Sequence, residues 1–192
     1  MFDKKADMGI GTLIIFIAMI LVAAIAAGVL VTTASSLQNR ALLTGSRSQA
    51  QVSTRVLPLS LYGEDGTDGS IDYLYMDLQL APGSDQIQFD ETLITNNLNN
   101  ESASFSFGET VDECNSDSIV EEDQFYLEYL IGGENEGYLE RGDVVRVCFD
   151  SPREIGEDEE VNIRLVLEVG NPTDLDVVTP QTMNNEKIFM YP

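Results

Sequence analysis

The sequence predicts an α+β protein: one long, hydrophobic N-terminal α-helix followed by an antiparallel β-sandwich domain of the immunoglobulin-like kind. Three observations predict this class. Residues 10–30 contain no charged side chain, residues 71–169 contain short β-branched and aromatic runs separated by turn residues, and the acidic residues are concentrated after residue 63. The first pattern is typical of a helix in an apolar environment, and the second is typical of strands.

The predicted helix is long enough to cross a membrane. About 20 residues at ~1.5 Å each span the roughly 30 Å of a bilayer core. A secretory signal would have a shorter apolar stretch and would lose it on cleavage. Apolar residues continue at helical spacing beyond residue 30, and β-branched residues precede Pro58. We therefore predict a helix from Ile10 to about Ser53, with Gly45 as a place where it could kink or end.

Small residues recur within the apolar run. Ala24 and Gly28 are four residues apart, and so are Ala23 and Ala27. This spacing lets helix backbones approach closely, and helices in an apolar environment associate through such packing. Packing of the helix against copies of itself is one interpretation. The alternative is that Ala and Gly are simply common in membrane helices.

Charge divides the chain into two unlike parts. Residues 8–63 contain three arginines and no acid, whereas residues 64–192 contain 31 acids and five basic residues, and the net charge is −23. An acidic body repels nucleic-acid phosphates, so we expect no nucleic-acid partner. Its self-repulsion is tolerable in molar salt, which suggests a high-salt habitat. A solvated acidic surface on an ordinary secreted protein is the alternative. Lys4 and Lys5 precede the apolar run, which predicts a cytoplasmic N-terminus and an outward acidic part.

The strands of the predicted β-domain, residues 54–192, begin after the helix. A turn cluster at residues 63–70 precedes a long strand at residues 71–80. The further predicted strands are residues 87–89, 92–96, 102–107, 124–131, 143–149 and 161–169. Because no helical period interrupts them, they favour an antiparallel sandwich with its own core.

Two side-chain features of the β-domain predict covalent modification. Cys114 and Cys148 both lie in the outward part, where an oxidising environment favours one disulfide worth about 3 to 4 kcal/mol in the chain-entropy model. Two buried thiols are the alternative. Asn100 begins an Asn-Glu-Ser sequence, which predicts N-glycosylation on the outward side of a membrane.

The chain has no recognisable catalytic constellation. It contains no histidine, which removes histidine-based triads and histidine metal ligands, so we predict no enzymatic activity. We also expect no cofactor other than a structural divalent cation. Glu64, Asp65 and Asp68 are the best-spaced oxygen ligands for such a metal, although they do not match a calcium-loop pattern. Solvated surface acids are the alternative.

The N-terminal segment KKADMGIGTLIIFIAMILVAAIAAGVLVTTASSLQ resembles the N-terminus of archaellins, the archaeal flagellins. The similarity continues through QAQVSTRV, YMDLQLAPGSDQI, YLERGDVVRV and the terminal IFMYP, and so spans nearly the whole chain. The first block is highly specific, whereas the β-domain matches are weaker patterns.

The resemblance implies a class III, type IV pilin-like signal peptide at residues 1–6, which a prepilin-type signal peptidase removes while the helix is retained. Lys4 and Lys5 would precede the cut, Ala6 would stand directly before it, and Asp7 would begin the mature chain. Archaellins more often have glycine before the cut, so cleavage after Gly9 is the rival position.

The resemblance also implies the function. Archaellin precursors wait in the cytoplasmic membrane and then pack their helices at the centre of an extracellular helical filament, the archaellum. Its partners would be other copies or paralogous archaellins, together with the assembly and motor machinery that rotates the filament for swimming. Two alternatives are an archaeal type IV pilin-like adhesive filament subunit, and a binding domain or enzyme that stays anchored in the membrane.

Overall fold

The computed structural model describes residues 3–65, 69–116, 118–121 and 123–191. The chain forms two compact units, the first ending at Arg47 and the second beginning at Ser48. The first unit is helical, and the second contains the end of the helix and all the described strands.

The helix α1 extends from Asp3 to Ser53. It begins earlier than predicted because Lys, Ala, Asp and Met ahead of the apolar run do not break a helix. Gly45 does not end it. Its end at Ser53 confirms the prediction and has a structural cause. The side chains of Asn171 and Ser84 donate hydrogen bonds to the carbonyls of Val52 (3.2 Å) and Ser53 (3.3 Å), which would otherwise lack partners at a helix C-terminus.

The second unit is built from strands. The described strands are β1 Val56–Asp65, β2 Ile71–Leu80, β3 Ile87–Gln88, β4 Leu93–Leu98, β5 Ser102–Thr110, β6 Gln124–Ile131, β7 Tyr138–Leu139, β8 Val144–Ile155, β9 Glu160–Val166, β10 Thr173–Val178 and β11 Lys187–Tyr191. A short 3-10 turn at Phe89–Glu91 ends the strand that the sequence predicted at residues 87–89.

Nine strands form one continuous sheet in the order β10-β9-β4-β5-β6-β8-β2-β1-β11, and β3 pairs separately with β7. Neighbouring strands are antiparallel except β5 and β6, which are parallel. Parallel neighbours cannot be joined by a tight turn and need a connection of about a dozen residues. The segment between Thr110 and Gln124, here called the crossover, makes this connection.

The core of the second unit lies inside the folded sheet. Ile94 and Leu165, from β4 and β9, share one buried cluster with Leu74 and Val147 from β2 and β8. The edge strands β10 and β11 approach each other within 8 Å between Cα atoms. The predicted class is therefore confirmed as a long apolar helix followed by a mostly antiparallel β-domain, whose packed layers are parts of one sheet.

Strand β1 runs through residues that the sequence assigned to a turn. Gly63 pairs with Leu74 inside the sheet, and a Cβ at Gly63 would lie 2.3 Å from Cγ2 of Ile71. This glycine is required by close packing rather than by a turn, and β1 was not among the predicted strands. β10 and β11 were also missed, although Thr173, Leu175 and Val177 alternate as buried residues along β10.

Candidate functional site

Residues 9–34 of helix α1 are apolar around the whole circumference. The consecutive residues Ile14, Ile15, Phe16 and Ile17 are 61%, 67%, 63% and 49% exposed. Because successive side chains on a helix point about 100° apart, these four alone cover most directions. Within the described residues, Gly9–Ser53 has the length and composition to cross a membrane. A helix of this kind is stable only where lipid or other protein covers it.

The few polar side chains of the apolar segment do not oppose such burial. Residues 9–34 contain three threonines and no other polar side chain. The hydroxyl of Thr12 donates to the carbonyl of Gly9 (3.0 Å), that of Thr32 to Val29 (2.9 Å), and that of Thr33 also to Val29 (2.9 Å). Since each hydroxyl bonds to the helix itself, the segment can leave water without an unpaired side-chain donor.

The packing within the subunit does not explain why residue 28 of α1 is a glycine. A Cβ added at Gly28 would meet no atom within 4 Å. Ala24 lies one turn away on the same face of the helix, and Ala23 and Ala27 lie beside this pair. Close packing of these positions between copies stays a prediction.

The residues predicted for signal processing, Lys4, Lys5, Ala6 and Asp7, lie in the first turns of α1, directly before the apolar segment. Cleavage between Ala6 and Asp7, or after Gly9, also stays a prediction.

A row of side chains crosses one face of the sheet. The strand register places Phe189, Tyr62, Tyr75, Cys148 and Tyr126 on neighbouring strands from β11 to β6. The rings of Tyr62 and Tyr75 are stacked, with centroids 5.0 Å apart and planes inclined by 8°. All members except Phe189 are buried in a second, smaller cluster. We call these residues the tyrosine row.

The crossover covers the tyrosine row and is bonded to it. Cys114 of the crossover forms a disulfide with Cys148 of β8, so the predicted bridge is present. Ile119 of the crossover packs on the same cluster. The backbone N–H of Glu121 donates to the hydroxyl of Tyr126 (3.1 Å). The bridge therefore holds the crossover in place over the aromatic rings.

The environment of the tyrosine row raises the pKa of two of its phenols, those of Tyr62 and Tyr75. Burial raises the pKa of Tyr62 to about 12. Burial also raises the pKa of Tyr75, whose hydroxyl donates a hydrogen bond to Glu64 (3.0 Å). The guanidinium carbon of Arg146 and the Nζ of Lys187 lie 5.5 and 5.3 Å from the centroid of the Tyr62 ring. These neutral rings are therefore part of the packing at all ordinary pH values.

The five basic residues after residue 63 are occupied by partners within the β-domain. The ion pairs among the described residues are Arg146 with Asp77 (2.8 Å) and Glu128 (3.7 Å), Arg153 with Glu159, Arg164 with Asp174, and Lys187 with Glu64 (3.5 Å). The remaining basic residue after residue 63, Arg141, donates to the carbonyl of Ser84 (3.0 Å). The described surface after residue 63 therefore stays strongly acidic.

The residues predicted to hold a cation are only partly described. Glu64 lies on β1 and contacts Tyr75 and Lys187. Asp68 and the side chain of Asp65 lie outside the described residues. Elsewhere in the described part of the chain, no group of three His, Cys, Asp or Glu side chains could hold a metal ion. A structural cation at the Glu64 turn stays a prediction.

The predicted glycosylation residue, Asn100, is exposed in the turn between β4 and β5. The turn is closed by a hydrogen bond from the N–H of Leu98 to the carbonyl of Glu101 (2.7 Å). This position is accessible to a modifying enzyme, and its occupancy stays a prediction.

Sequence reasoning missed the tyrosine row and its cover. Tyr62, Tyr75 and Tyr126 are far apart in the sequence, and only the strand register brings them together. The length of the segment between β5 and β6 was a usable signal, because it exceeds what an antiparallel hairpin needs.

Comparison with known proteins places this architecture among filament proteins. The family model for archaeal-type flagellin matches residues 6–177. The chain is 32% identical to Flagellin B3 of Halobacterium salinarum over 187 residues, which cover 96% of this chain and 93% of that protein. It is 49% identical over 92 residues to Flagellin A2 of Haloferax volcanii, covering 48% of this chain and 42% of that protein.

Two solved structures share the fold. The subunit in the archaeal flagellum of Methanospirillum hungatei strain JF1 matches with a TM-score of 0.71 and 13% identity, covering 94% of this chain and 98% of that one. Archaeal flagellin FlaB1 from Methanocaldococcus jannaschii matches with a TM-score of 0.65 and 18% identity, covering 72% and 97%. At these identities the likeness concerns the fold.

Proposed function

The chain belongs to the archaeal-type flagellin family, and we propose that it is a structural subunit of an archaeal flagellum filament that polymerises through α1 and serves swimming motility. The observation that carries this proposal is α1 itself. Its apolar side chains are exposed in every direction, so the isolated subunit lacks the surface that must cover them. Copies of the same helix supply that surface in a filament. The role is structural, and no catalysis is needed for it.

The bilayer is the first environment of α1 in this proposal. Lys4 and Lys5 hold the N-terminus on the cytoplasmic side, and the acidic β-domain lies outside. A prepilin-type signal peptidase cuts between Ala6 and Asp7, and the retained helix then leaves the membrane. Because residues 8–39 carry no charge and the threonine hydroxyls bond to the helix, lipid can be exchanged for protein without burying a charge.

Other copies are the second environment. Ala24 and Gly28 allow close approach of neighbouring helices, since nothing in the subunit fills the space beside Gly28. Identical subunits that join through unlike surfaces form an open helix when the rotation between them does not close. The β-domains then lie outside the bundle of helices. The archaellum machinery at the cell surface turns the assembled filament.

The adhesive pilin-like alternative is not favoured. That alternative shares only the signal peptide and the apolar helix with this chain, whereas the flagellin match covers residues 6–177 and so reaches into β10. The same extent disfavours a permanently anchored binding domain or enzyme.

A deletion strain tests the proposed function. Removal of the gene should abolish swimming and the surface filaments that contain this chain, while attachment to surfaces stays normal. Complementation with the wild-type gene should restore both filaments and swimming. A strain that swims normally but no longer attaches would contradict the proposal and support the pilin-like alternative.

A further inference from the structure

Two arginines of α1 lie in a long segment of the chain that contains no acid. Arg40 and Arg47 are exposed, and residues 8–63 contain no Asp or Glu. The ion pairs among the described residues use Arg146, Arg153, Arg164 and Lys187 instead. Within residues 8–63, neither Arg40 nor Arg47 therefore has an acidic side chain with which to pair.

The two arginines belong to one polar face of α1. Residues spaced by three or four positions lie on the same side of a helix. This face, here called the arginine stripe, consists of Ser36, Arg40, Thr44, Arg47 and Gln51. Leu42 lies on the opposite side of the helix, and Leu37 lies at the border of the stripe. Residues 36–51 of α1 therefore have a basic face, whereas residues 9–34 are apolar.

The arginine stripe cannot pack against α1 of another copy without a large cost. Every copy has the same acid-free segment from residue 8 to residue 63, so no neighbouring helix there offers a carboxylate. Removing an unpaired charge from water costs several kcal/mol even after the protein relaxes. A bundle of identical helices must therefore leave this face in contact with water or with a body that carries acids.

The β-domain is the acid-bearing body that a filament supplies. Residues 64–192 contain 31 acids against five basic residues, and those basic residues already have partners in the same domain. We propose that the arginine stripe of each subunit docks against carboxylates on the β-domain of a neighbouring copy. Guanidinium groups suit this contact because they bind carboxylates through two parallel hydrogen bonds. The inference rests on the proposed function, since it needs an assembled filament.

A pair of charge variants tests this contact. R40Q/R47Q removes both charges and keeps polar side chains, whereas R40K/R47K keeps the charges and is the matched control. Filaments are sheared from cells that express each variant, and their dissociation temperature is followed by light scattering. We expect R40Q/R47Q filaments to dissociate at a lower temperature than wild type. R40K/R47K filaments should fall between the two, because lysine keeps the charges and loses the paired hydrogen bonds of a guanidinium group.

Cross-linking locates the partner of the stripe. The amines introduced by R40K/R47K can be coupled directly to a touching carboxylate by a carbodiimide. We expect covalent dimers on a denaturing gel that are absent from R40Q/R47Q filaments. Mass spectrometry should identify a cross-link between a peptide that contains residue 40 or 47 and a peptide of residues 64–192.

The outcomes separate this inference from the proposed function. If wild-type cells form no filament containing this chain, the proposed function fails. If wild-type filaments form but R40Q/R47Q filaments are equally heat-stable, or if the R40K/R47K amines give no dimer, the stripe faces solvent and only the docking inference is wrong.

Discussion

Asn96 is a buried amide in the middle of strand β4. Its side chain is fully buried between register neighbours Ile163 and Ala103, and neither its amide oxygen nor its amide nitrogen has a hydrogen-bond partner among the described residues. An unsatisfied buried polar group costs about 1–3 kcal/mol. We predict that Asn96→Leu, which is close in shape, raises the free energy of unfolding by on the order of 1 kcal/mol. Denaturant unfolding of the full chain in detergent measures this change.

The adjacent residue provides the control for this prediction. Asn97 is exposed, and its amide donates a hydrogen bond to Asn162 (3.1 Å). Asn97→Leu should therefore leave the free energy of unfolding unchanged or lower it slightly. An Asn96→Leu variant that is less stable than wild type would show that the buried amide contributes favourably.

Tyr62 predicts a specific loss of stability at alkaline pH. Burial raises its pKa from 10.0 to about 12, so the neutral phenol stabilises the fold fully below pH 10, and this contribution disappears as the pH rises through 12. The amount is on the order of 2 kcal/mol. Unfolding monitored together with tyrosinate absorbance should show this loss, and Tyr62→Phe should remove the Tyr62 part of it. Ionisation of Tyr62 near pH 10 in the folded chain would refute the prediction.

At the scale of elements, the sequence predicted the apolar helix and several strands from the spacing of their apolar residues. Strands β2 and β6 have the predicted bounds, and α1 ends where predicted. The sequence did not reveal that β5 and β6 are parallel, because a strand's side-chain alternation is the same for both directions of pairing. For the candidate site, α1 was predictable from composition alone, whereas the tyrosine row depends on the register of distant strands.

The crossover is the element whose stability depends most on the disulfide. Cys114 and Cys148 close a loop with a sequence separation of 34 residues, so C114S/C148S should lower the free energy of unfolding by about 3 to 4 kcal/mol in the chain-entropy model.

The crossover carries several acids and no basic residue on an acidic domain. The loss should therefore be greater at about 0.1 M salt than at molar salt, where the Debye length is only ~3 Å. Thermal unfolding at both concentrations checks this, and an equal loss at both would remove the electrostatic part.

The small-residue face of α1 predicts a defect confined to assembly. A Cβ at residue 28 would meet no atom of its own chain within 4 Å, and leucine has a higher helix propensity than glycine. The Gly28→Leu precursor should therefore still enter the membrane. It should block close approach of a second helix and abolish filaments. Electron microscopy of cells and immunoblots of their membrane fraction measure the two effects. Val29→Leu, on a different face, is the matched control, and normal filaments from Gly28→Leu would exclude close packing at this position.

At the scale of the whole molecule, a chain of net charge −23 combines an uncovered apolar helix with an acidic body. Neither part is stable in the surroundings of the other, because the helix requires an apolar environment and the body requires water. The proposed filament would satisfy both, with the helices gathered inside and the β-domains at the surface. The sequence indicated this division through its charge distribution, and its resemblance to archaellins indicated the assembled state.

The central claim is that this chain is cleaved near its N-terminus and assembled into extracellular filaments through the retained helix. N-terminal sequencing of the protein in sheared, pelleted filaments tests it most directly. A start at Ile10 would place the cut after Gly9 and leave assembly unchanged. We predict that the filaments contain this chain and that it begins at Asp7. Its absence from the filaments, or its recovery only from the membrane fraction with residues 1–6 still attached, would contradict the claim.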